Sequence, residues 1–276
     1  MASFDFDQAE GLRRMLQGPR PRIVTFLSAT PEDDKGAMLV NLGASLAQLG
    51  DEVLIVDACE REYGVARRLG LSRAGTLAHV ARQECALNQV IHQVPQGFSV
   101  AALGRPEGHA AHHGETRRLA KTFDVLVKQA GIVMVDGELG PDGDFPLPPM
   151  ATSEIVVQVG TSAASITNAY ALIKRLSQQL GRRPFGILVT GATEAEARVV
   201  YDNMSTAATR YLAVSLSSMG SVPADEYLHR AARLGRAVVD AFPLAGASVA
   251  FRRLAGKFAL RAMPGLGRGG SAHFGS

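Results

Sequence analysis

The sequence predicts an α/β fold in which a mostly parallel central sheet has helices on both faces. Runs of Val, Ile and Leu recur along the chain, and segments with helical spacing of apolar residues separate them. Uninterrupted apolar runs are typical of strands buried on both faces, and their alternation with helices favours parallel pairing. The expected strands are 22–27, 52–57, 97–103, 131–136, 154–160, 184–190 and 219–222.

The composition is that of an ordinary globular protein. The 276 residues are 46% hydrophobic and 20% charged, and the net charge of +3 is too small to indicate nucleic-acid binding. Two cysteines, Cys59 and Cys85, fit a reducing compartment, and no apolar run approaches the ~20 residues of a membrane-spanning helix. We therefore expect a cytoplasmic protein. No metal site is predicted, because His109, His112 and His113 lack the spacing of metal ligands.

Three segments are expected along the chain. Residues 1–21 contain a short helix and a linker with two prolines, residues 22–262 form one α/β domain, and the glycine-rich residues 263–276 form a disordered tail. A helix of about three turns is marginal alone in water. The N-terminal helix should therefore order only against a partner or against its own domain.

The first strand, the helix after it and the second strand have the ground plan of a P-loop nucleotide-binding unit. The strand 22–27 leads into the run 28–36, a helix follows from Ala37 to Leu49, and the strand 52–57 ends in an acid. A phosphate loop needs glycines, because its backbone N–H groups must reach the phosphates without side chains in the way. Here the run is Pro31-Glu32-Asp33-Asp34, so a triphosphate would face three carboxylates.

Lys35 ends this loop, and Gly36 follows it where a Ser or Thr would bind Mg²⁺. A single lysine before a helix is compatible with a phosphate contact. A surface lysine on an acidic loop, with no tight phosphate ligand, is the interpretation favoured by the residues, because ligation needs several convergent donors.

The segments 41–50 and 53–58 resemble the MinD/ParA family of deviant-Walker ATPases. Within this family, residues 164–174 are similar to a segment of the FlhG/FleN group of flagellar-number regulators. The N-terminal run Asp7-Gln8-Ala9-Glu10-Gly11-Leu12-Arg13 matches the DQAxxLR motif of the same group. The resemblance covers residues 5 to about 260 and implies the P-loop fold of MinD.

The resemblance assigns roles to residues of the nucleotide site. Lys35 corresponds to the phosphate-contacting lysine, Asp57 to the first acid of a D-x-D pair, and Asp136 to the Walker-B acid. Together with Gly36, these residues are expected to form a vestigial nucleotide site. No cofactor is expected, and ATP and Mg²⁺ would bind only if the degenerate loop retains binding.

Three departures from the family concern catalysis and base recognition. Thr30 replaces the additional signature lysine of the loop, and Cys59 replaces the acid that positions the attacking water. Thr190 replaces an asparagine that the family often uses at the adenine. Phosphoryl transfer works by positioning and electrostatic stabilisation, so these losses predict a pseudo-ATPase with no catalytic residues of its own.

The N-terminal segment acquires a target from the resemblance. In a helix, Gln8, Leu12 and Met15 share one face. In FlhG-like proteins this segment binds the GTPase FlhF and stimulates GTP hydrolysis, and a glutamine can do so by orienting the attacking water. We therefore expect an FlhF-like GTPase as partner, contacted by Asp7, Gln8, Ala9, Leu12 and Arg13.

Two other functions stay open at this point. One is a working MinD-like ATPase switch that dimerises on ATP. The other is an anti-activator that binds a flagellar transcriptional regulator, an activity that needs no catalysis. The resemblance also implies flagellar switch proteins as partners.

The C-terminal segment has the pattern of an amphipathic helix. Phe251, Leu254 and Phe258 share one face, and Arg252 and Lys257 flank it. The family often ends in a basic helix that lies on an anionic membrane, so the resemblance implies a peripheral contact at the inner face of the cell membrane through these five residues. The alternative is a last helix that packs on the sheet.

Overall fold

The computed structural model describes residues 21–59, 64–71, 74–104 and 113–262. Several sequence predictions concern residues outside these ranges. They are the N-terminal helix, the glycine-rich tail, His109 and His112. The residues expected to contact a GTPase are also outside: Asp7, Gln8, Ala9, Leu12 and Arg13.

The centre of the domain is a single sheet, which has eight strands within the described residues. They are β1 (Arg22–Ser28), β2 (Val53–Asp57), β3 (His92–Gln93), β4 (Ser99–Ala102), β5 (Ile132–Asp136), β6 (Glu154–Val159), β7 (Phe185–Thr190) and β8 (Leu216–Val222). The spatial order is β3-β4-β2-β5-β1-β6-β7-β8. Neighbours are parallel except for the short edge strand β3, which runs antiparallel to β4.

All seven predicted strands are present, and the predicted mostly parallel sheet is confirmed. β8 begins at Leu216, three residues before the expected start. The sequence did not indicate this start, because Ser217 and Ser218 interrupt the apolar run. β3 was not predicted. Its two residues are too short for a periodic pattern, and only its pairing with β4 defines it.

Helices and short helical turns connect the strands. The helices are α1 (Lys35–Gln48), α2 (Val65–Arg68), α3 (Leu77–Ala81), α4 (His113–Leu126), α5 (Pro148–Thr152), α6 (Ala163–Leu180), α7 (Glu194–Leu212), α8 (Glu226–Arg233), α9 (Val238–Ala241) and α10 (Gly246–Ala262). Turns of 3-10 type are formed by Pro31–Asp33, Leu87–Gln89 and Val127–Gln129.

Helices cover both faces of the sheet, as the sequence predicted. On one face, α1 and α10 pack with Phe26 of β1 in a buried cluster that includes Leu42 and Phe251. On the other face, α6 and α7 cover β6 and β7, and α4 covers β2 and β5. Double coverage explains the continuous apolar runs, because successive residues of each central strand face opposite clusters.

The last helix packs on the sheet, which is the alternative given for its amphipathic pattern. Phe251, Leu254 and Phe258 are at most 2% exposed, and the ring of Phe258 stacks on Phe26 with a centroid distance of 6.0 Å. The guanidinium of Arg22 lies 4.7 Å from the centroid of the Phe258 ring and donates to the Phe258 carbonyl at 2.7 Å.

The apolar stripe that the resemblance related to a membrane contact is therefore part of the core. Arg252 is half-buried and donates to the Pro243 carbonyl, and Lys257 is exposed, so only the cationic edge of the stripe reaches the surface. A helix anchored in this way cannot present Phe251, Leu254 and Phe258 to a bilayer without leaving the sheet. Within the described chain, none of the helices has the length and apolarity needed to span a membrane.

Candidate functional site

The carboxyl ends of the central strands place the predicted nucleotide-site residues together. Asp57 ends β2 and Asp136 ends β5, and their Cα atoms are direct partners across the two parallel strands. Lys35 is the first residue of α1, which follows β1, the neighbour of β5. In open α/β sheets, such an edge is where ligands bind. The spacing of these residues in sequence is large, and the sheet order alone brings them into one site.

Lys35 is mostly buried and is paired with Asp136, so the expectation of a surface lysine is wrong. Its Nζ lies 2.7 Å from Oδ1 of Asp136, and the two side chains are 11% and 1% exposed. The ammonium also donates to the carbonyl oxygens of Phe26 and Gly137. Its charge and donors are thus directed to the ends of β1 and β5.

Asp57 and Asp136 form a buried pair of carboxylates that backbone N–H groups hold in place. Asp57 accepts from the amides of Cys59 at 2.9 Å and Ala66 at 2.7 Å, and Asp136 accepts from the amide of Val65 at 3.1 Å. Gly64, which precedes α2, leaves room for this arrangement, since a Cβ there would lie 2.7 Å from Oδ2 of Asp57. The first turn of α2 therefore donates hydrogen bonds to both carboxylates.

The pKa of Asp57 is raised from its ordinary value of 3.8 to about 6, chiefly by burial and next by the neighbouring negative charge of Asp136. The amides of Ala66 and Cys59 and the charge of Lys35 act in the opposite direction and limit this rise in pKa. Between pH 3.8 and about 6 the unfolded chain has lost this proton and the folded chain retains it. The free energy of unfolding therefore falls as the pH rises through that window.

We expect Asp57→Asn to remove this pH dependence. Because the variant does not titrate there, its free energy of unfolding relative to the wild type should rise by about 3 kcal/mol between the two pKa values and stay constant above the higher one. Urea unfolding at intervals across the window measures the difference. The exposed Asp202→Asn is the control and should show no such trend. A constant difference between Asp57→Asn and the wild type would contradict the assignment.

The aspartates of the loop between β1 and α1 accept hydrogen bonds from the loop itself and from neighbouring elements. Asp34 has a left-handed backbone with φ of 46° and caps α1, accepting from the Ala37 amide at 3.2 Å; its Oδ1 also lies 2.5 Å from Nη2 of Arg68. Asp33, the last residue of the preceding 3-10 turn, accepts from the hydroxyls of Thr30 at 2.7 Å and Ser165 at 2.9 Å. Donors that could face a phosphate thus already face a carboxylate.

The residues around the loop do not fit a magnesium nucleotide. Gly36 is buried at the start of α1 and has no hydroxyl for a cation. Cys59 lies beside Glu138, with Sγ 3.6 Å from Oε2, where the family resemblance expects an acid that positions water. The carboxylates of Asp33 and Asp34 add negative charge to the loop, and like charges ~4 Å apart repel by ~1 kcal/mol in water and more strongly where water is excluded.

Two cavities lie on opposite sides of this loop. The larger, about 1020 Å³, is lined by Asp33, Asp34, Gln158 and Thr190. The smaller, about 760 Å³, is lined by Lys35, Gly36, Cys59, Glu138 and Arg175. Thr190, the position linked to adenine, and Lys35, the position linked to phosphate, therefore open into different cavities.

Sequence reasoning missed the partners of the loop on β6 and α6. Ser165 lies in the first turn of α6, and its hydroxyl contacts Asp33 across 132 positions of sequence. Gln158 of β6 donates from Nε2 to the Asp33 carbonyl and to the Thr190 hydroxyl. Ser165 falls in the segment 164–174 noted for its family resemblance, but nothing in its spacing indicates an acidic partner.

Comparison with curated proteins finds relatives that match most of the chain. The antiactivator FleN of Pseudomonas aeruginosa is 31% identical over 233 residues, which are 83% of this chain and 83% of FleN. An uncharacterized ATP-binding protein of Methanocaldococcus jannaschii is 22% identical over 226 residues, covering 81% of this chain and 82% of that protein. No protein-family model matches the chain.

Solved structures with a similar fold include the cell-division protein MinD and a complex of McdA with ATP. MinD of Aquifex aeolicus has a TM-score of 0.67 and 17% identity, covering 88% of this chain and 98% of that one. MinD of Pyrococcus horikoshii with Mg-ADP has a TM-score of 0.63 and 16% identity, covering 88% and 99%. McdA of Cyanothece with ATP has a TM-score of 0.64 and 13% identity, covering 91% and 100%. These similarities establish the fold.

Proposed function

Because the chain belongs to the MinD/ParA family of P-loop ATPases, in the group that contains the antiactivator FleN, we propose that it regulates the number and placement of bacterial flagella in the cytoplasm by binding an FlhF-like GTPase. The N-terminal segment with the DQAxxLR motif is the activating element. The domain of residues 22–262 serves as a binding platform without ATP turnover. The degenerate loop is the observation that supports assigning the activation to the N-terminal segment and only binding to the domain.

The geometry of the loop supports the absence of ATP turnover. Lys35 is 2.7 Å from Asp136, and the carboxylates of Asp33 and Asp34 occupy hydroxyl and amide donors at the end of β1 and the start of α1. With glycine at position 36 and cysteine at position 59, neither the cation ligand nor the water-positioning acid is available. If ATP and Mg²⁺ bind at all, they do so only with a rearranged loop.

The N-terminal segment supports the choice of partner. Gln8, Leu12 and Met15 share a helical face in the sequence, and the motif match gives that face a GTPase as its target. A glutamine presented in this way can orient the water that attacks GTP. The activity would therefore be independent of the loop between β1 and α1.

A GTPase assay tests the proposal. The full chain should raise the GTP turnover of an FlhF-like protein to the same extent with and without ATP and Mg²⁺, and a chain lacking residues 1–17 should not raise it. The full chain alone should show no ATP turnover and no ATP-dependent dimer. Stimulation that requires ATP would contradict the proposal and favour a MinD-like switch. Stimulation by the shortened chain would contradict the role of the N-terminal segment.

A second function is favoured by the similarity to FleN, which is an antiactivator. An antiactivator works by occupying a surface of a transcriptional regulator, so it needs binding and no catalysis. The 31% identity extends over 83% of the chain, and a domain that acts as a binding platform is compatible with such an activity. This function and GTPase stimulation can coexist, because they would use the domain surface and the N-terminal segment respectively.

A further inference from the structure

Three hydroxyl groups, those of Ser28, Thr30 and Ser165, lie within hydrogen-bond distance of the Asp33 carboxylate. Thr30 donates to Oδ2 at 2.7 Å, and the Ser165 hydroxyl lies 2.9 Å and 3.1 Å from the two carboxylate oxygens. Ser28 is 3.1 Å from Oδ2 and shares its proton with the Thr30 carbonyl at 2.8 Å. The Ser165 hydroxyl in turn accepts from the Gly160 amide at 2.8 Å, which strengthens its own donation.

The electrostatics around the Asp33 carboxylate suit an anion that has no cationic partner. Lys35 is paired with Asp136 and Arg68 with Asp34, so neither neighbouring cation is committed to Asp33. Ser165 belongs to the first turn of the 18-residue helix α6, and the N-terminus of a helix favours negative charge. Hydroxyl donors and the helix end together replace the water that the carboxylate loses.

We propose that the loop between β1 and α1 is an anion site whose occupant is part of the chain, the carboxylate of Asp33. In this arrangement Asp33 holds the loop closed and fastens it to α6 without any bound nucleotide. The inference rests on the proposed function only in treating the loop as a former phosphate site.

The close packing around the carboxylate supports a fitted site. A Cβ at Gly160 would lie 2.5 Å from Oδ1 of Asp33, so the residue that follows β6 approaches the carboxylate as closely as a glycine permits. Gln158 donates to the carbonyl of the same aspartate. Asp33 therefore joins β1, β6 and α6, and α6 in turn lines the smaller cavity with Asn168 and Arg175. Its loss should loosen the walls of both cavities.

Chemical rescue of Asp33→Ala tests the proposal. The variant removes the carboxylate and leaves the hydroxyl donors facing a space of carboxylate size. Its thermal midpoint should fall by about 4–8 °C relative to the wild type. Formate, a carboxylate that fits the space, should restore much of that shift when compared with chloride at equal ionic strength. The exposed Asp202→Ala should match the wild type in both salts.

Two further measurements make the result specific to an anion site. Asp33→Asn fills the space with a neutral group, so its midpoint should fall and formate should not restore it. Amide hydrogen exchange of residues 163–168 should be faster in Asp33→Ala than in Asp202→Ala, since the start of α6 loses its link to the loop. If Asp33→Ala folds only with formate present, the proposal is supported.

The proposal is overturned if Asp33→Ala keeps the wild-type midpoint, or if formate stabilises the wild type, Asp33→Ala and Asp202→Ala equally. It is also overturned if Asp33→Ala stays unfolded in formate and exchange at residues 163–168 is unchanged in Asp33→Asn. None of these results bears on GTPase stimulation. Failure of the anion site and failure of the proposed function would therefore appear in different experiments.

Discussion

Replacing Lys35 with alanine is expected to lower the free energy of unfolding by about 3–5 kcal/mol. The ammonium lies 2.7 Å from Asp136, the two side chains are only 11% and 1% exposed, and Asp57 is the next carboxylate along the same sheet edge. Without the lysine, the buried carboxylates of Asp136 and its strand neighbour Asp57 lose this cation. Removal of its charge also removes one of the causes that lower the pKa of Asp57. Urea unfolding at neutral pH measures the loss.

A double-mutant cycle shows whether the loss comes from the ion pair. Adding Asp136→Asn to Lys35→Ala should recover part of the lost stability, because the carboxylate left without its partner is then neutral. The matched control is Lys174→Ala on the exposed side of α6, which should change stability by no more than about 0.5 kcal/mol. Equal losses for Lys35→Ala and Lys174→Ala would show that Lys35 is not a buried structural cation.

Replacing Gln8 with alanine in a peptide of residues 1–20 is expected to lower the stimulated GTP turnover of an FlhF-like GTPase by about tenfold or more. If the amide orients the attacking water, the peptide should still bind with nearly unchanged affinity. Leu12→Ala should instead weaken binding by about 10–100-fold, since a buried leucine contributes about 1.5–3 kcal/mol. Turnover at saturating peptide and affinity from titration separate the two effects.

The wild-type peptide should stimulate nearly as well as the full chain, because the activity is assigned to this segment alone. Glu10→Gln is the matched control, since helical spacing places position 10 opposite Gln8 and Leu12. A Gln8→Ala peptide that stimulates normally would remove the glutamine from the mechanism. A wild-type peptide without effect, together with a stimulating domain, would move the activity to the surface of residues 22–262.

The strands of the sheet were predictable from the sequence because a strand buried on both faces consists of consecutive apolar residues. The buried runs of β2 and β5 consist of apolar residues ending in an acid, and their strand character needs no knowledge of neighbours. The edge strand β3 has no such apolar run, since His92 and Gln93 are assigned to a strand only through their pairing with β4. Strand order was also beyond the sequence, because adjacent positions in the sheet join segments far apart in the chain.

The last helix shows what an amphipathic pattern leaves open. Phe251, Leu254 and Phe258 indicate an apolar face, but a membrane and a protein core are equally apolar partners for it. The fold supplies the core, because Phe26 of β1 and the helix α1 already present an apolar surface at that position. The choice between lipid and sheet was therefore made by tertiary packing.

The sequence by itself determined the fold class and the loss of the loop glycines, the magnesium-binding hydroxyl and the second acid of the D-x-D pair. It did not determine what the remaining charges do. Lys35 forms an ion pair with Asp136, and Asp33 accepts a hydrogen bond from Ser165, which is 132 positions away. Such contacts depend on which strand ends and helix starts the sheet order places together. Only the tertiary structure could show that Asp33, expected from the sequence to repel a phosphate, accepts hydrogen bonds from the hydroxyls of Thr30 and Ser165.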